Sequence, residues 1–194
     1  MEVILSNVRI SFPDLFEARQ FEAGKGPLKY RASFLIEPNS ANHKTLMKAI
    51  QEVAKEEWKD KAPAILKAAS EDSKLRLLVN GDSKEYDGYA GMIAVSATRD
   101  ATKGRPLVID KDKSPLTQTD GRPYGGCYVN AKIDLWAQNN KWGKCIRASL
   151  LAVQFAKDGD AFGAGTATAD PDEFEDLSDT GAGGDKDDMS DLVA

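Results

Sequence analysis

The chain has 194 residues, 41% hydrophobic and 29% charged, a size and balance that fit one globular domain with room for an appendage. No apolar run approaches the roughly 20 residues a membrane helix requires, and residues 1–7 lack the basic and apolar stretches of a secretory leader, so a cytosolic chain is expected. The net charge of -5 conceals a division: residues 158–194 hold twelve acidic residues and one lysine, net -11, whereas the 25 basic and 19 acidic residues before them give +6.

Residues 3–12 set Ile4, Val8, Ile10 and Phe12 against Asn7, Arg9 and Ser11, the loose alternation of a half-buried strand, and Pro13-Asp14 predicts its end. A second strand is expected over 29–36, where Tyr30, Ala32, Phe34 and Ile36 alternate with Lys29, Arg31 and Ser33 before Pro38-Asn39-Ser40. Ser40 or Asn42 then caps a helix whose Leu46, Ile50, Val53, Ala54 and Trp58 recur at three-or-four spacing on one face. Pro63 predicts a break, 64–69 a second short helix, and 75–79 a strand closed by Asn80-Gly81-Asp82. The charge-free run 91–98 and the short piece 106–110, with Leu107, Val108 and Ile109, both read as sheet.

The clearest pair follows. Cys127, Val129, Ala131, Ile133, Leu135 and Ala137 alternate with Tyr128, Asn130, Lys132, Asp134, Trp136 and Gln138, and the turn 139–143 leads into a partner strand over 144–157. On that partner Cys145, Arg147, Ser149, Leu151, Val153 and Phe155 are expected on one face, with Ile146, Ala148, Leu150, Ala152 and Gln154 on the other. The two cysteines are expected as reduced thiols beside each other across the hairpin. Five or six strands with one main helical insertion are too few helices for a doubly wound sheet and suit a mainly β chain closed into a small antiparallel barrel.

Beyond about Gly163 the chain turns to Gly, Ala, Thr, Ser, Asp and Glu, with too little apolar area to offset an ordering entropy of about 1–2 kcal/mol per residue. The expected division is a folded domain over 1–160 and a disordered acidic tail over 161–194. The tail reads either as a solubilising segment or as an interaction segment, since Phe174, Met189, Leu192 and Val193 are sparse apolar anchors set in acid.

Catalytic signatures are missing: there is no G-x-x-x-x-G-K-[ST], G-x-S-x-G or H-E-x-x-H. His43, Cys127 and Cys145 are too few for a structural zinc site. The stretch 110–114 opens like a calcium loop but has Pro115 at the sixth position and Gly121 at the twelfth. Asp110, Asp112 and Lys113 are the one cluster in the body that would tempt a two-metal nuclease reading, and no third ligand has sensible spacing. The expectation is a non-enzyme with no cofactor and no metal.

What remains is cationic and aromatic. Tyr128, Lys132 and Trp136 project from one face of their strand. That face is either covered by the helical insertion, making Trp136 core, or open as a stacking platform on which each base contributes about 1–3 kcal/mol without regard to sequence. Arg99, Lys103, Arg105, Lys111 and Lys113 crowd two glycine- and proline-bearing loops and, with Arg31, are candidate phosphate contacts whose binding would fall steeply with salt. Trp142, in the hairpin turn, is a further stacking candidate. Tyr86 and Tyr89 would either add stacking or plug the barrel end. An acidic tail beside a basic groove can occupy it as a phosphate decoy.

Residues 7–12 (Asn-Val-Arg-Ile-Ser-Phe), 29–36 (Lys-Tyr-Arg-Ala-Ser-Phe-Leu-Ile), 124–129 (Tyr-Gly-Gly-Cys-Tyr-Val) and 151–155 (Leu-Ala-Val-Gln-Phe), followed by Asp158-Gly159 and the acidic segment, resemble a bacteriophage single-stranded-DNA-binding protein family of the Enc34-phage type, once catalogued as a domain of unknown function. The resemblance runs over nearly the whole chain. It implies an OB-fold with a helical insertion and a disordered acidic C-terminus, made by a tailed phage for replication and recombination in the cytoplasm of its bacterial host. The implied partner is single-stranded DNA regardless of sequence. Duplex DNA, self-association on DNA, and replication or recombination proteins reached through the tail are open as further partners. The chain ends Asp191-Leu192-Val193-Ala194 rather than in the terminal aromatic of bacterial single-strand binders. Two other readings stand beside this one: an interaction or phage-assembly module without DNA binding, and the metal-dependent nuclease.

Overall fold

Alternation of apolar and polar side chains builds seven strands into one sheet in the computed structural model, which describes residues 1–21 and 23–163. In chain order these are β1 (Glu2–Arg19), β2 (Lys29–Ile36), α1 (Ala41–Trp58), α2 (Ala62–Glu71), β3 (Leu78–Asn80), β4 (Ile93–Asp100), β5 (Leu107–Ile109), β6 (Tyr128–Asn140) and β7 (Gly143–Lys157). The strand order is β3-β4-β2-β1-β6-β7-β5, and a parallel bridge from β4 to β7, Thr98 opposite Ser149, closes the middle of the sheet. Strands β1, β2, β4, β7 and β6 thus form the five-stranded barrel of an OB-fold, with β3 and β5 as short additions to β4 and β7.

The barrel interior is filled by Leu5, Ile10, Phe34, Val95, Ile133, Leu135, Leu150 and Phe155, each wholly or almost wholly buried. Helix α1 adds Leu46, Ala49, Ile50, Val53, Ala54 and Trp58 to the same core; burying a leucine such as Leu46 contributes roughly 1.5–3 kcal/mol. Ser40 caps α1, its Oγ accepting from the His43 N–H at 3.2 Å. Asn42 instead ties the helix start to β1, accepting from the Ser6 N–H at 2.9 Å and donating to the Ser6 carbonyl at 2.8 Å. Pro63 lies in the first turn of α2, where its missing N–H is no loss, so it helps start a helix that begins two residues earlier than expected.

Three expectations are corrected. Strand β1 does not stop at Pro13-Asp14: register shifts between Ser11 and Asp14, and again before Arg19, absorb the missing N–H and carry the strand to Arg19. Strand β7 does not keep one alternation, because Lys132 pairs with Ala152 and Ile133 with Leu150, so Leu151 is a bulge. Before it Ile146, Ala148 and Leu150 face the core; after it Val153 and Phe155 do. The cysteines do not meet: Cys145 pairs with Gln138, eleven positions along the chain from Cys127, about 35 Å at strand rise. Both are buried free thiols, and burial pushes the Cys127 thiol up to about 11.

After β7 the chain continues along the barrel. Arg9 donates from Nε to the Gly126 carbonyl at 2.9 Å and from Nη2 to the Asp160 carbonyl at 2.6 Å, and its guanidinium lies 4.3 Å from the Phe162 ring centroid. The Phe162 N–H donates to the Gly125 carbonyl at 2.8 Å. These contacts run past residue 160 to Phe162. The expected tail disorder and the apolar anchors Phe174, Met189, Leu192 and Val193 lie outside the described residues.

Candidate nucleic-acid interface

The outward face of β2 and β4 is polar and small. Arg31 pairs with Thr98 and Ser33 with Ser96, the two serine hydroxyls 2.7 Å apart, and Thr98 meets Ser149 of β7. Next to Ser149 stand Arg147 on β7 and its register partner Trp136 on β6. Together with Lys29, Arg76, Asp100, Lys103 and Gln138 these side chains line a cleft of about 420 Å³. Four cations face one carboxylate there. The strand-2 and strand-3 face of an OB barrel, between its first and last hairpin loops, is where that architecture takes oligonucleotides, and β2 and β4 hold those places here.

Several residues in and around the cleft are held. Trp136 is 43% exposed, and its Nε1 donates to Ser149 Oγ at 3.1 Å, fixing the indole edge while the ring lines the cleft. Arg147 donates from Nε to Gln138 Oε1 at 3.3 Å and from Nη2 to the Lys74 carbonyl at 3.1 Å. Arg76 keeps a buried Nε with no acceptor among the described residues. Arg99 donates to the carbonyls of Gly104 and Lys103, both at 2.8 Å, and so shapes the turn that carries Lys103. Hydrogen bonds from the Thr102 hydroxyl, then from its N–H, hold the Asp100 carboxyl below the usual carboxylate range. Asp100 is therefore a turn cap that stays ionised.

The expected site residues divide. Trp136 and Lys103 line the cleft, Arg99 supports it, and Arg31 flanks it with its guanidinium paired to Asp14. Trp142, 74% exposed, stands in the β6–β7 turn with Lys141 Nζ 5.1 Å from its ring centroid. Tyr128 and Lys132 share the Trp136 face of β6 but not its cleft. Lys132 pairs with Glu2 at 2.6 Å, and Lys157 Nζ sits 4.3 Å from the Tyr128 ring centroid, about 27 Å along the strand from Trp136. Arg105 lies over Phe16 at 5.5 Å, and Lys111 and Lys113 are exposed beyond β5. The Asp110 carboxylate is paired to Arg122 at 2.9 Å, and Asp112 accepts from the Ser114 N–H and hydroxyl. Among the described residues no group of three or more His, Cys, Asp or Glu is placed to hold a metal ion.

Lys29, Arg76 and Arg147 escaped sequence reasoning. Arg147 was within reach: with Asn140 opposite Gly143, paired residues of the hairpin sum to 283, which sets 147 opposite 136. Arg76 follows α2 and enters the cleft only through tertiary packing, so no local pattern announces it. Phe21, 88% exposed in the β1–β2 loop with the Arg31 guanidinium 5.9 Å from its ring, was also missed. Tyr89 is buried against Leu35 and Ala94, and Tyr86 is exposed beside it.

Comparison with known proteins matches residues 1–189 to the family described as Enterobacter phage Enc34, ssDNA-binding protein. The putative protein p50 of Acyrthosiphon pisum secondary endosymbiont phage 1 is 47% identical over 180 residues, covering 92% of this chain and 95% of that one. The single-stranded DNA-binding protein from bacteriophage Enc34, solved in complex with ssDNA, superposes with a TM-score of 0.67 at 30% identity over 84% of this chain and 89% of that one. The gp2.5 single-stranded DNA-binding protein of bacteriophage T7 shares the fold, with a TM-score of 0.53 at 16% identity over 95% of this chain and all of that one. A cleft on the OB strand face, in a chain matched almost end to end by one phage family, leads to one assignment: the chain belongs to the Enc34 phage ssDNA-binding protein family.

Proposed function

We propose that this chain is a non-enzymatic coat for transient single strands of phage DNA in replication and recombination, acting in the host cytoplasm. The observation that carries the reading is the cleft that sets Trp136 among Lys29, Arg76, Lys103 and Arg147 on the β2–β4 side of the barrel. A base stacks on Trp136, and phosphates track past the cations toward Arg31 and Arg99. Cleft contacts come from long cationic side chains and hydroxyls, which suit phosphate and sugar, so binding ignores sequence and falls steeply with salt. Trp142 and Phe21, exposed on the two hairpin loops, add further stacking. Lys103, on the turn after β4, meets phosphate from one edge of the cleft.

The acidic segment acts as a competitor for the cleft and as a handle for replication or recombination proteins. Residues 164–194 carry ten acidic side chains and one lysine. Truncation after Gly163 tests the competition: apparent affinity for oligo-dT rises at low salt and the difference shrinks as salt screens the tail. Equal affinity of the two proteins at low salt overturns the competitor role and leaves the partner role to be tested by pull-down with the phage replication proteins.

A further inference from the structure

Two half-exposed rings lie outside the cleft. Phe12 is 52% exposed and Tyr86 51%, and they meet edge to face with centroids 5.1 Å apart. They border a second cleft of about 380 Å³ that Ser11, Glu85, Asp87 and Phe162 also line. The presentation is built. Phe12 holds φ at 50°, a left-handed backbone that an aromatic residue rarely adopts and that persists where the surroundings enforce it. Tyr86 stands 5.3 Å from the buried Tyr89 ring, which is itself seated on Leu35 and Ala94. The loop between β3 and β4 is closed by the Gly81 N–H on the Met92 carbonyl at 2.8 Å and the Gly91 N–H on Asp82 Oδ1 at 2.7 Å.

The shelf lies two strands across the sheet from the Trp136 cleft. Ser96 lines that cleft, its hydroxyl meets Ser33, and Ser33 is the register partner of Ser11, which precedes Phe12. Two strand-to-strand steps of about 4.8 Å set Phe12 some 10 Å from Ser96. That is about three nucleotides at the per-strand rise of duplex DNA and fewer in an extended strand. Along that line Ser96 is exposed and Ser33 half-buried, while Ser11, which lines the shelf, is itself buried. At its far side Glu85 and Asp87 present carboxylates that repel phosphate.

Resting on the binding reading above, we propose that Phe12 and Tyr86 form a terminal stacking subsite for one base of the bound single strand, and that the carboxylate edge at Glu85 stops the phosphodiester track and so sets the length of DNA each molecule covers. The test titrates full-length wild type, Tyr86→Leu, Tyr86→Phe, Phe12→Leu and Trp136→Leu with oligo-dT of increasing length, from about 4 to 16 nucleotides, the range of OB site sizes. Wild-type affinity rises with length to a plateau. Tyr86→Leu and Phe12→Leu lose roughly 5- to 150-fold on plateau-length oligonucleotides and nothing on the shortest, whereas Tyr86→Phe keeps wild-type binding. Trp136→Leu loses affinity at every length, and that result reports on the cleft independently of the shelf. Tyr86→Leu affinity equal to wild type at every length, or an equal loss at every length, overturns the subsite. Wild type that binds no oligo-dT overturns the binding reading itself.

Discussion

Replacing Trp136 with leucine separates stacking from packing. Leucine keeps an apolar body on β6 but removes the π-face and the Nε1 hydrogen bond to Ser149. That bond is partly exposed, so its loss costs about 0.5–1.5 kcal/mol of stability, or roughly 1–6 °C in melting temperature for a domain of this size. If one base stacks on the indole, binding weakens by about 1–3 kcal/mol, roughly 5- to 150-fold in Kd. The assay is fluorescence anisotropy of labelled oligo-dT at fixed salt, with thermal melting followed by circular dichroism on the same preparations. Trp136→Phe, which keeps a ring, recovers most of the affinity. A folded Trp136→Leu variant with Kd within twofold of wild type refutes the stacking argument.

Lys103→Gln removes one cleft cation and reduces the slope of log K against log salt by about 0.7, read from binding curves between low and moderate salt. An unchanged slope takes Lys103 off the phosphate track. Asp110→Asn breaks the pair with the half-exposed Arg122 and costs about 1–2 kcal/mol in a melt while leaving oligo-dT affinity alone, since this carboxylate serves the β5 turn. Cys127, pushed up to about 11 by burial, binds its proton more tightly folded than unfolded. The unfolded chain therefore releases that proton first as pH rises past about 9, the ordinary thiol value. Stability is full below pH 9 and falls between 9 and 11, a decline that Cys127→Ser reduces in pH-dependent melts.

The barrel was legible where one periodicity ran unbroken. Strand β6 alternates cleanly because one face is buried from Val129 to Leu135, whereas β2 alternates only as far as Phe34, beyond which Leu35 is also buried against Tyr89 and Ala94. The α1 stripe repeats at helical spacing because it closes the main core. Legibility stopped at bulges. Leu151 shifts the inward set of β7 by one position, and Pro13 reads as a stop although a register shift lets β1 pass it; both are decided by pairing with a neighbouring strand. The site was legible in type more than in place. Aromatics on a polar face pointed to Trp136, but Tyr128 and Lys132 share that face only along the strand, and their charges and rings are engaged by Lys157 and Glu2. The helical insertion leaves Trp136 half exposed, so the residue is not core. The cations that share its cleft, Lys29, Arg76 and Arg147, come from three separate elements, and only the closed barrel assembles them.

Binding of the full-length protein to labelled oligo-dT and to duplex of the same length, across a salt series and with tryptophan emission recorded, tests the central claim most directly. The account predicts strong preference for the single strand, a steep salt slope, and quenching that Trp136→Leu diminishes. Equal affinity for duplex, or no binding at low salt, contradicts it.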